Sequence, residues 1–210
     1  MSEPSADGAE PADAGPADTG LGPRERMVRA AARLIRSQGV SGTGMRAVVA
    51  AADAPRGSLQ HYFPGGKDQL VSEALLGMGD LAGRAVARVL ERLVSPTPAD
   101  LFAGIVDRWR QEFLTRGFDA GCPLVAAAAD TAASSDRLRA VVAEAFAAWE
   151  EPLAAALVVT GVEARRAPAL ATVLIAALEG AIVLARVRRQ VAPLDAVVGE
   201  LTPLLDAAVG

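Results

Sequence analysis

The 23 residues from 45 to 67, MRAVVAAADAPRGSLQHYFPGGK, constrain the fold of this 210-residue chain more than any other stretch. Apolar side chains at helical spacing predict a short helix over residues 45–52, which ends at an Asp-Ala-Pro sequence. A second short helix over residues 56–63 is closed by Pro-Gly-Gly, which breaks the chain before a longer helix. Two short helices joined by a tight turn indicate a helix-turn-helix, whose second helix can lie in the major groove of DNA.

The second short helix carries mostly hydrogen-bonding side chains, while Leu59 and Phe63, four residues apart, form the stripe expected to face a core. In the major groove, arginine pairs with guanine and glutamine with adenine. An ordinary solvated surface helix is the alternative, but the turn and the Phe-Pro-Gly-Gly-Lys run in register favour DNA binding. We therefore predict a DNA-contacting surface made of Thr43, Arg46, Arg56, Gly57, Ser58, Gln60, His61, Tyr62 and Lys67.

The distribution of charge along the chain supports this prediction. The net charge of −4 divides into −5 over residues 1–22, +6 over residues 23–67 and −5 over the remainder. A basic block between acidic segments is typical of a nucleic-acid-binding domain. The acidic segment is rich in Ala, Pro and Gly, so residues 1–22 are interpreted as a disordered tail that favours solubility. Weak competition with DNA phosphates is the alternative role for this tail.

The segment over residues 23–75 resembles the DNA-binding domain of TetR-type transcriptional regulators. Gly-Ser-Leu at 57–59, followed by His-Tyr-Phe-Pro-Gly-Gly-Lys, is similar to the LmrA/YxaF-like branch of that family. Gly-Cys-Pro-Leu at 121–124 and Leu-Glu-Gly-Ala at 178–181 extend the resemblance toward the C-terminus. The resemblance implies an all-α, TetR-like fold, with a three-helix DNA-binding domain followed by a helical ligand-binding and dimerisation domain.

The resemblance also implies individual roles for residues of the predicted DNA surface. Arg46 matches a position that often reaches a base from the first short helix. Tyr62 and Lys67 match positions that usually hold phosphates, and Lys67 also lies at a helix N-terminus, where anions are favoured. Gln60 stands where the family usually has tyrosine. The phosphate contact that the tyrosine hydroxyl would make is therefore not expected here, and the Gln60 amide could contact a base instead.

The rest of the sequence predicts helices and no β-strand. The first helix is expected over residues 23–38, ended by Gly39, and Thr43 is the expected N-cap of the 45–52 helix. We divide the chain into the tail over residues 1–22, a helix-turn-helix domain over 23–70, and an effector-binding and dimerisation domain over 71–210. Further helices are expected over residues 66–93, 99–116, 123–132, 134–157, 163–190 and 193–208.

The run from residue 167 to 187 is apolar enough to be considered as a membrane-spanning helix, but a charged Glu179 near its middle would be costly in lipid. Its many alanines favour close helix packing, and we interpret it as a buried dimer helix. The resemblance implies that the last two long helices of each subunit pair with those of a partner. Two recognition helices about 34–36 Å apart can read a palindrome. The predicted interface residues are Leu170, Val173, Leu174, Ala177, Leu178, Ala181 and Leu184.

Aromatic residues concentrate in the middle of the chain, in pairs that share a helix face at i,i+4 or i,i+3 spacing. Core packing is the favoured interpretation for any one of them, and an apolar effector cavity with a few polar groups is the alternative. The predicted pocket residues are Trp109, Phe113, Cys122, Phe146, Trp149 and Glu179.

The sequence gives little support to other functional classes. The single histidine, His61, has no second ligand at metal-binding spacing, so we expect no metal and no cofactor. Cys122 is the single cysteine and cannot form an internal disulfide, and no secretory leader is recognised, which fits a reducing cytoplasm. We predict a homodimeric cytoplasmic repressor that leaves its operator when it binds a small, largely apolar effector. An enzyme with an accessory helix-turn-helix and a membrane-associated helical protein are the alternatives.

Overall fold

The structure, a computed structural model, describes residues 20–55 and 57–209. The described residues form nine helices and no strand, apart from an isolated bridge between Val162 and Val209, so the all-α prediction is confirmed. Most of the predicted tail, residues 1–19, and Arg56 lie outside the described residues. The helices are α1 Pro23–Gly42, α2 Met45–Ala51, α3 Ser58–Tyr62, α4 Gly66–Arg92, α5 Pro98–Arg116, α6 Pro123–Thr131, α7 Asp136–Val159, α8 Ala167–Arg188 and α9 Ala192–Asp206.

The first three helices surround a small core. Proline begins α1, where the missing N–H would have had no helical partner. The α1 side chains Met27 and Ile35 are fully buried, and so is Phe63, which follows α3. Arg26 of α1 fixes the turn after α2 because its guanidinium donates hydrogen bonds to the Ala52 and Asp53 carbonyls at 2.9 and 3.0 Å.

The end of α1 differs from the prediction. Gly39 does interrupt the helix, with φ 74° and ψ 177°, but helical structure resumes and continues to Gly42. The predicted N-cap at Thr43 is wrong, because Gly44 occupies that position and no side chain caps α2. Thr43 is 2 % exposed, and its hydroxyl donates to the Gly39 carbonyl at 2.6 Å. The buried hydroxyl therefore ties Thr43 to the break in α1 and keeps its side chain away from any DNA surface.

The long helix α4 connects the N-terminal helices to the rest of the chain and packs closely along α7. Two glycines permit this approach. A Cβ atom at Gly79 would lie 2.9 Å from the carbonyl carbon of Ala145, and one at Gly83 would collide with the Ala148 carbonyl. The backbones of α4 and α7 thus meet without side chains between them at these two crossings.

The helix α8 begins later than predicted, because residues 163–166 form a turn and Pro168 lies in the first helical turn. It is long and apolar enough to cross a membrane, with a mean hydropathy of 2.1, but half of its most apolar window is buried inside the protein. This is also the pattern of a core helix in a soluble protein.

Four of the seven predicted dimer residues face inward. Leu170, Leu174, Leu178 and Ala181 recur at helical spacing and are all buried within the protomer, so their inclusion in an intersubunit interface is corrected. Val173 and Leu184 lie on the opposite, exposed face of α8, and Ala177 is half-buried. Because α8 is apolar on both faces, its sequence could not show which side remains open.

Candidate functional site

The helix α3 presents its polar side chains outward. None of its five residues is fully buried, and Leu59 and Tyr62 are the two that pack against the core. Gln60 and His61 are exposed, while Tyr62 is half-buried with its ring against that of His61, at a centroid distance of 5.0 Å. The side chains of Gln60, His61 and Tyr62 make no hydrogen bond with any residue that the structure describes, so their polar groups remain available.

Arg46 and Lys67 flank this helix from α2 and from the start of α4. Arg46 is exposed, Lys67 is half-buried, and neither forms an ion pair or hydrogen bond with a described residue. The N-terminus of α4 that carries Lys67 is held in place, because Gln69 accepts a hydrogen bond from the Gly65 N–H at 2.9 Å and donates one to Glu73 at 3.0 Å. Two cations without a described partner therefore lie on the helices that precede and follow α3 in the chain.

The other predicted DNA-contacting residues are engaged within the protein, lack a side chain, or lie outside the described residues. The Ser58 hydroxyl donates to the Pro55 carbonyl at 2.6 Å and so stabilises the turn that precedes α3. Gly57 is exposed at the N-cap of α3. Thr43 is buried, as described above, and Arg56 lies outside the described residues.

Several arginines of the basic block act within the protein. Arg26 holds the α2–α3 turn, Arg24 pairs with Glu73 at 2.7 Å, and Arg36 pairs with Glu112 at 3.0 Å. The charge count over residues 23–67 therefore overstates the positive charge that is free to meet an anion.

A second candidate site is a cavity of about 290 Å³, partly open to solvent, enclosed by α1, α4, α5, α7 and the start of α6. Its walls are mainly apolar and its polar groups come from three arginines and one glutamate. The lining residues are Arg36, Met78, Leu81, Ala82, Ala85, Val86, Ile105, Arg108, Trp109, Glu112, Arg116, Cys122, Pro123, Leu124 and Trp149.

The polar groups of the cavity form a connected cluster. Glu112 accepts from Arg36 at 3.0 Å and lies 3.7 Å from Arg116. The Arg36 guanidinium also lies over the ring of Trp109, at 5.5 Å from its centroid. Arg108 forms no ion pair or hydrogen bond with a described residue. Arg108 is exposed, yet partial burial and the nearby charges of Arg88 and Arg92 lower its pKa against the opposing charge of Glu112.

Three of the six residues predicted for an effector pocket line this cavity: Trp109, Cys122 and Trp149. Phe113 does not, because its ring is fully packed between those of Trp109 and Phe118, and the latter stacks on it at 4.9 Å. Phe146 is half-buried against the core on α7 and is not part of the cavity wall.

Glu179 does not line the cavity either, but lies beside Cys122, which does. Glu179 is 6 % exposed, and neither of its carboxylate oxygens accepts a hydrogen bond of ordinary geometry from a described residue. Burial raises the pKa of Glu179 to about 7. Burial and the Glu179 charge together raise the pKa of the Cys122 thiol well above its ordinary value, so this thiol stays protonated and unreactive at neutral pH.

The loop over residues 117–121, which precedes the cavity residue Cys122, is hydrogen-bonded to both α1 and α8. Gly121 donates its N–H to the Arg36 carbonyl at 3.1 Å, and its own carbonyl accepts from the Arg36 guanidinium at 2.9 Å. On the other side, Arg186 of α8 donates to the Asp119 carbonyl at 2.9 Å, and Arg189 pairs with the Asp119 carboxylate at 2.9 Å. This loop therefore links α1 to α8 through direct hydrogen bonds.

Sequence reasoning missed the charged residues of the cavity. Arg108, Glu112 and Arg116 lie at i,i+4 spacing beside Trp109, which could have flagged a polar edge to the aromatic cluster. Arg36 carried no such signal, because its partner Glu112 is 76 residues away in sequence. The described residues contain no group of three His, Cys, Asp or Glu side chains that could hold a metal ion.

Comparison with known proteins places this geometry in a family. Residues 27–74 match the family of bacterial regulatory proteins named tetR, and residues 98–200 match the C-terminal domain of LmrA/YxaF-like transcriptional regulators. The HTH-type transcriptional regulator Rv0196 of Mycobacterium tuberculosis is 41 % identical over 88 % of this chain and 94 % of its own length. The HTH-type transcriptional regulator LmrA of Bacillus subtilis is 33 % identical over 81 % and 90 %.

Solved structures agree on the fold. The reduced form of Escherichia coli NemR superposes with a TM-score of 0.74 at 21 % identity, covering 86 % of this chain and 95 % of NemR. A TetR transcriptional regulator from Legionella pneumophila superposes with a TM-score of 0.75 at 18 % identity, covering 87 % and 96 %. These relatives are regulators rather than enzymes, so the alternative of an enzyme with an accessory helix-turn-helix is not supported. The chain belongs to the TetR family of bacterial regulatory proteins, in its LmrA/YxaF-like branch, and is a DNA-binding transcriptional regulator.

Proposed function

We propose that this regulator is a cytoplasmic homodimeric repressor that binds a near-palindromic operator and is released from it by a small effector. The observation that carries this proposal is the outward polar face of α3, together with two cations on the neighbouring helices α2 and α4 that have no partner among the described residues. Buried or structural polar groups would be paired, as those of Arg26 and Ser58 are. Unpaired groups on one exposed face suit an external ligand with many acceptors, such as a duplex.

The residues of this face divide into two roles. Tyr62 and Lys67, at the edge of α3 and the start of α4, contact phosphates and set the register of the protein on DNA. Arg46 and Gln60 reach base edges, where a paired contact discriminates against a wrong base by about 1–3 kcal/mol. The structure supports this division because Gln60 is exposed in the middle of α3 and carries an amide with no described partner.

The dimer forms through the exposed apolar faces of α8 and α9. Val173, Leu184 and Val187 of α8 are 48 %, 44 % and 79 % exposed, and Leu204 of α9 is 40 % exposed. Side chains of this kind on two adjacent helices favour burial against another apolar surface. A second copy of the same helices provides one, and the two-fold pair carries two recognition helices for a palindrome.

The cavity couples an effector to the DNA-binding helices through Arg36. This α1 residue lines the cavity and also holds Gly121 through two hydrogen bonds. A ligand that contacts Trp109 or Glu112 in place of the Arg36 side chain would break its guanidinium hydrogen bond to Gly121 and so weaken the link between α1 and that loop. If the ligand prefers the resulting splayed state, it lowers operator affinity by its differential affinity for the two states. A coupling of about 1–3 kcal/mol changes affinity about 5–150-fold.

Selection of bound sequences from random DNA with the purified protein tests the proposal, with size-exclusion chromatography to report the oligomeric state. The expected result is a dimer that enriches a near-palindrome, with binding that weakens steeply as salt rises. In a Gln60→Ala variant, the selected motif should lose preference at one base pair in each half-site. A monomeric protein that enriches no sequence at low salt would overturn the proposal. Screening small apolar ligands for their ability to release the protein from the selected operator then tests the proposed effector response.

A further inference from the structure

We propose that the effector cavity takes an aromatic ligand with an oxyanion, such as a carboxylate, whose rings lie against Trp109 and Trp149 and whose charge is held by Arg108. This inference rests on the proposed effector-binding function and adds a charge to the ligand, which the sequence had indicated only as largely apolar. Three features of the cavity support it: its aromatic walls, its unequal charges and an arginine that forms no ion pair or hydrogen bond with a described residue.

The walls suit a flat apolar body. Trp149 is 4 % exposed and Trp109 is half-buried, and both rings line the cavity together with apolar side chains of α4 such as Met78 and Val86. A volume of about 290 Å³ is at the small end of known ligand sites. It therefore favours a compact ligand of two or three rings over a larger one.

The charges of the lining do not balance. Arg36, Arg108 and Arg116 face the cavity, and Glu112 is the one carboxylate among the lining residues. Glu112 is already engaged, since Arg36 lies 3.0 Å from it and Arg116 3.7 Å. The described lining thus has an excess of positive charge that an anionic ligand would neutralise.

Arg108 is the arginine that remains available. It is exposed and has no ion pair or hydrogen bond with a described residue. The Glu112 charge attracts it, while its other charged neighbours are two further arginines of α4, Arg88 and Arg92. Those neighbours disfavour its charge, and a carboxylate held beside it would relieve that repulsion. The planar guanidinium matches a carboxylate with two parallel hydrogen bonds, which makes such a contact stronger than a neutral one.

The two tryptophans of the chain both line the cavity, so intrinsic fluorescence reports its occupation directly. The test titrates the full-length protein with matched acids and amides: 2-naphthoate against 2-naphthamide, and biphenyl-4-carboxylate against its carboxamide. At least one acid should bind about tenfold or more tightly than its amide, because a hydrogen bond to a charged group is worth more than a neutral one. This preference should shrink as salt is raised.

Two variants test whether Arg108 causes the preference for acid over amide ligands. Arg108→Gln should bring the acid and amide affinities together. Arg84→Gln should keep the preference, because Arg84 is an exposed arginine of α4 that lies outside the cavity and has no described ion pair. Equal affinities for acid and amide in the parent, loss of the preference in Arg84→Gln, or its survival in Arg108→Gln would each overturn the inference, as would failure of both acids to bind at millimolar concentration.

These outcomes are separate from those of the proposed function. A protein that enriches an operator but binds amides as tightly as acids remains a regulator with a neutral effector, and only the charge inference fails. A protein that prefers the acids through Arg108 but enriches no DNA sequence would sustain the ligand chemistry and overturn the proposed repressor.

Discussion

The substitution Glu179→Gln tests how the buried carboxyl beside Cys122 controls the stability of the fold. The pKa of Glu179 rises from its ordinary value of 4.5 to about 7 because burial disfavours the charged form. A carboxyl whose folded pKa is raised binds more protons in the folded than in the unfolded state. Stability is therefore unaffected well below pH 4.5, falls as pH rises from 4.5 to 7, and stays reduced above 7.

The size of the effect follows from the two pKa values. Each unit of difference corresponds to about 1.4 kcal/mol, so the ionised carboxylate destabilises the fold by about 3 kcal/mol at pH 8. At pH 5 most of that penalty is absent, because the folded carboxyl is still protonated. Glutamine cannot ionise, and the difference in unfolding free energy between variant and parent should grow by about 2–3 kcal/mol from pH 5 to pH 8.

Urea unfolding at fixed protein concentration and at several pH values measures this difference, since the stability of a dimer depends on protomer concentration. Glu91→Gln provides a matched control, because Glu91 is exposed on α4 and has no described ion pair. A constant offset between Glu179→Gln and the parent, with no growth toward alkaline pH, would refute the reasoning. It would mean that Glu179 is charged and paired throughout this range.

Three further predictions concern the DNA surface, the helix crossing and the coupling. Lys67→Ala should weaken DNA binding about equally across operator variants and reduce the slope of log affinity against log salt by about 1. Fluorescence anisotropy measures both effects. A change in base preference alone would contradict the phosphate role of Lys67. Gly79→Ala should destabilise the protein by about 1–3 kcal/mol in urea unfolding, because its Cβ would collide with the backbone of α7. Gly77→Ala on the same helix, with open space around it, should instead stabilise by about 0.5–1 kcal/mol, and similar losses in both variants would exclude the close crossing as the cause. Arg36→Gln should reduce the ligand-induced change in operator affinity toward none, because it removes the guanidinium hydrogen bond to the Gly121 carbonyl and the ion pair with Glu112. Arg29→Gln, which alters an exposed pair with Glu25, should retain that change. A full ligand response in Arg36→Gln would rule out coupling through Arg36.

Local sequence signals were sufficient for the helices and for the position of the helix-turn-helix. The prolines at the starts of α1, α5 and α6 and the Pro-Gly-Gly break before α4 act through the backbone of their own neighbourhood. The polar residues of α3 could be recognised for the same reason, since Leu59 within the helix and Phe63 directly after it mark one inward side. Such features need no knowledge of distant parts of the chain.

The orientation of apolar helices could not be obtained in this way. On α8, Leu174 and Val173 are equally apolar neighbours, yet Leu174 is fully buried and Val173 is half exposed. Which of the two faces the protomer depends on where α7 and α9 pack against α8. The same limit applied to Thr43, whose sequence position suits a cap but whose hydroxyl is taken up by the kink at Gly39.

The sequence by itself determined that the described part of this chain is helical and that its basic N-terminal part carries a helix-turn-helix. Only the tertiary structure decided how Arg36, Trp109 and Trp149 line one cavity, and which arginine there forms no ion pair with a described residue. The physical reason is the separation along the sequence over which each interaction acts. Helix propensity, turns and caps act over a few residues, whereas burial and ion pairing at Arg36 and Glu112 depend on the packing of segments 76 residues apart.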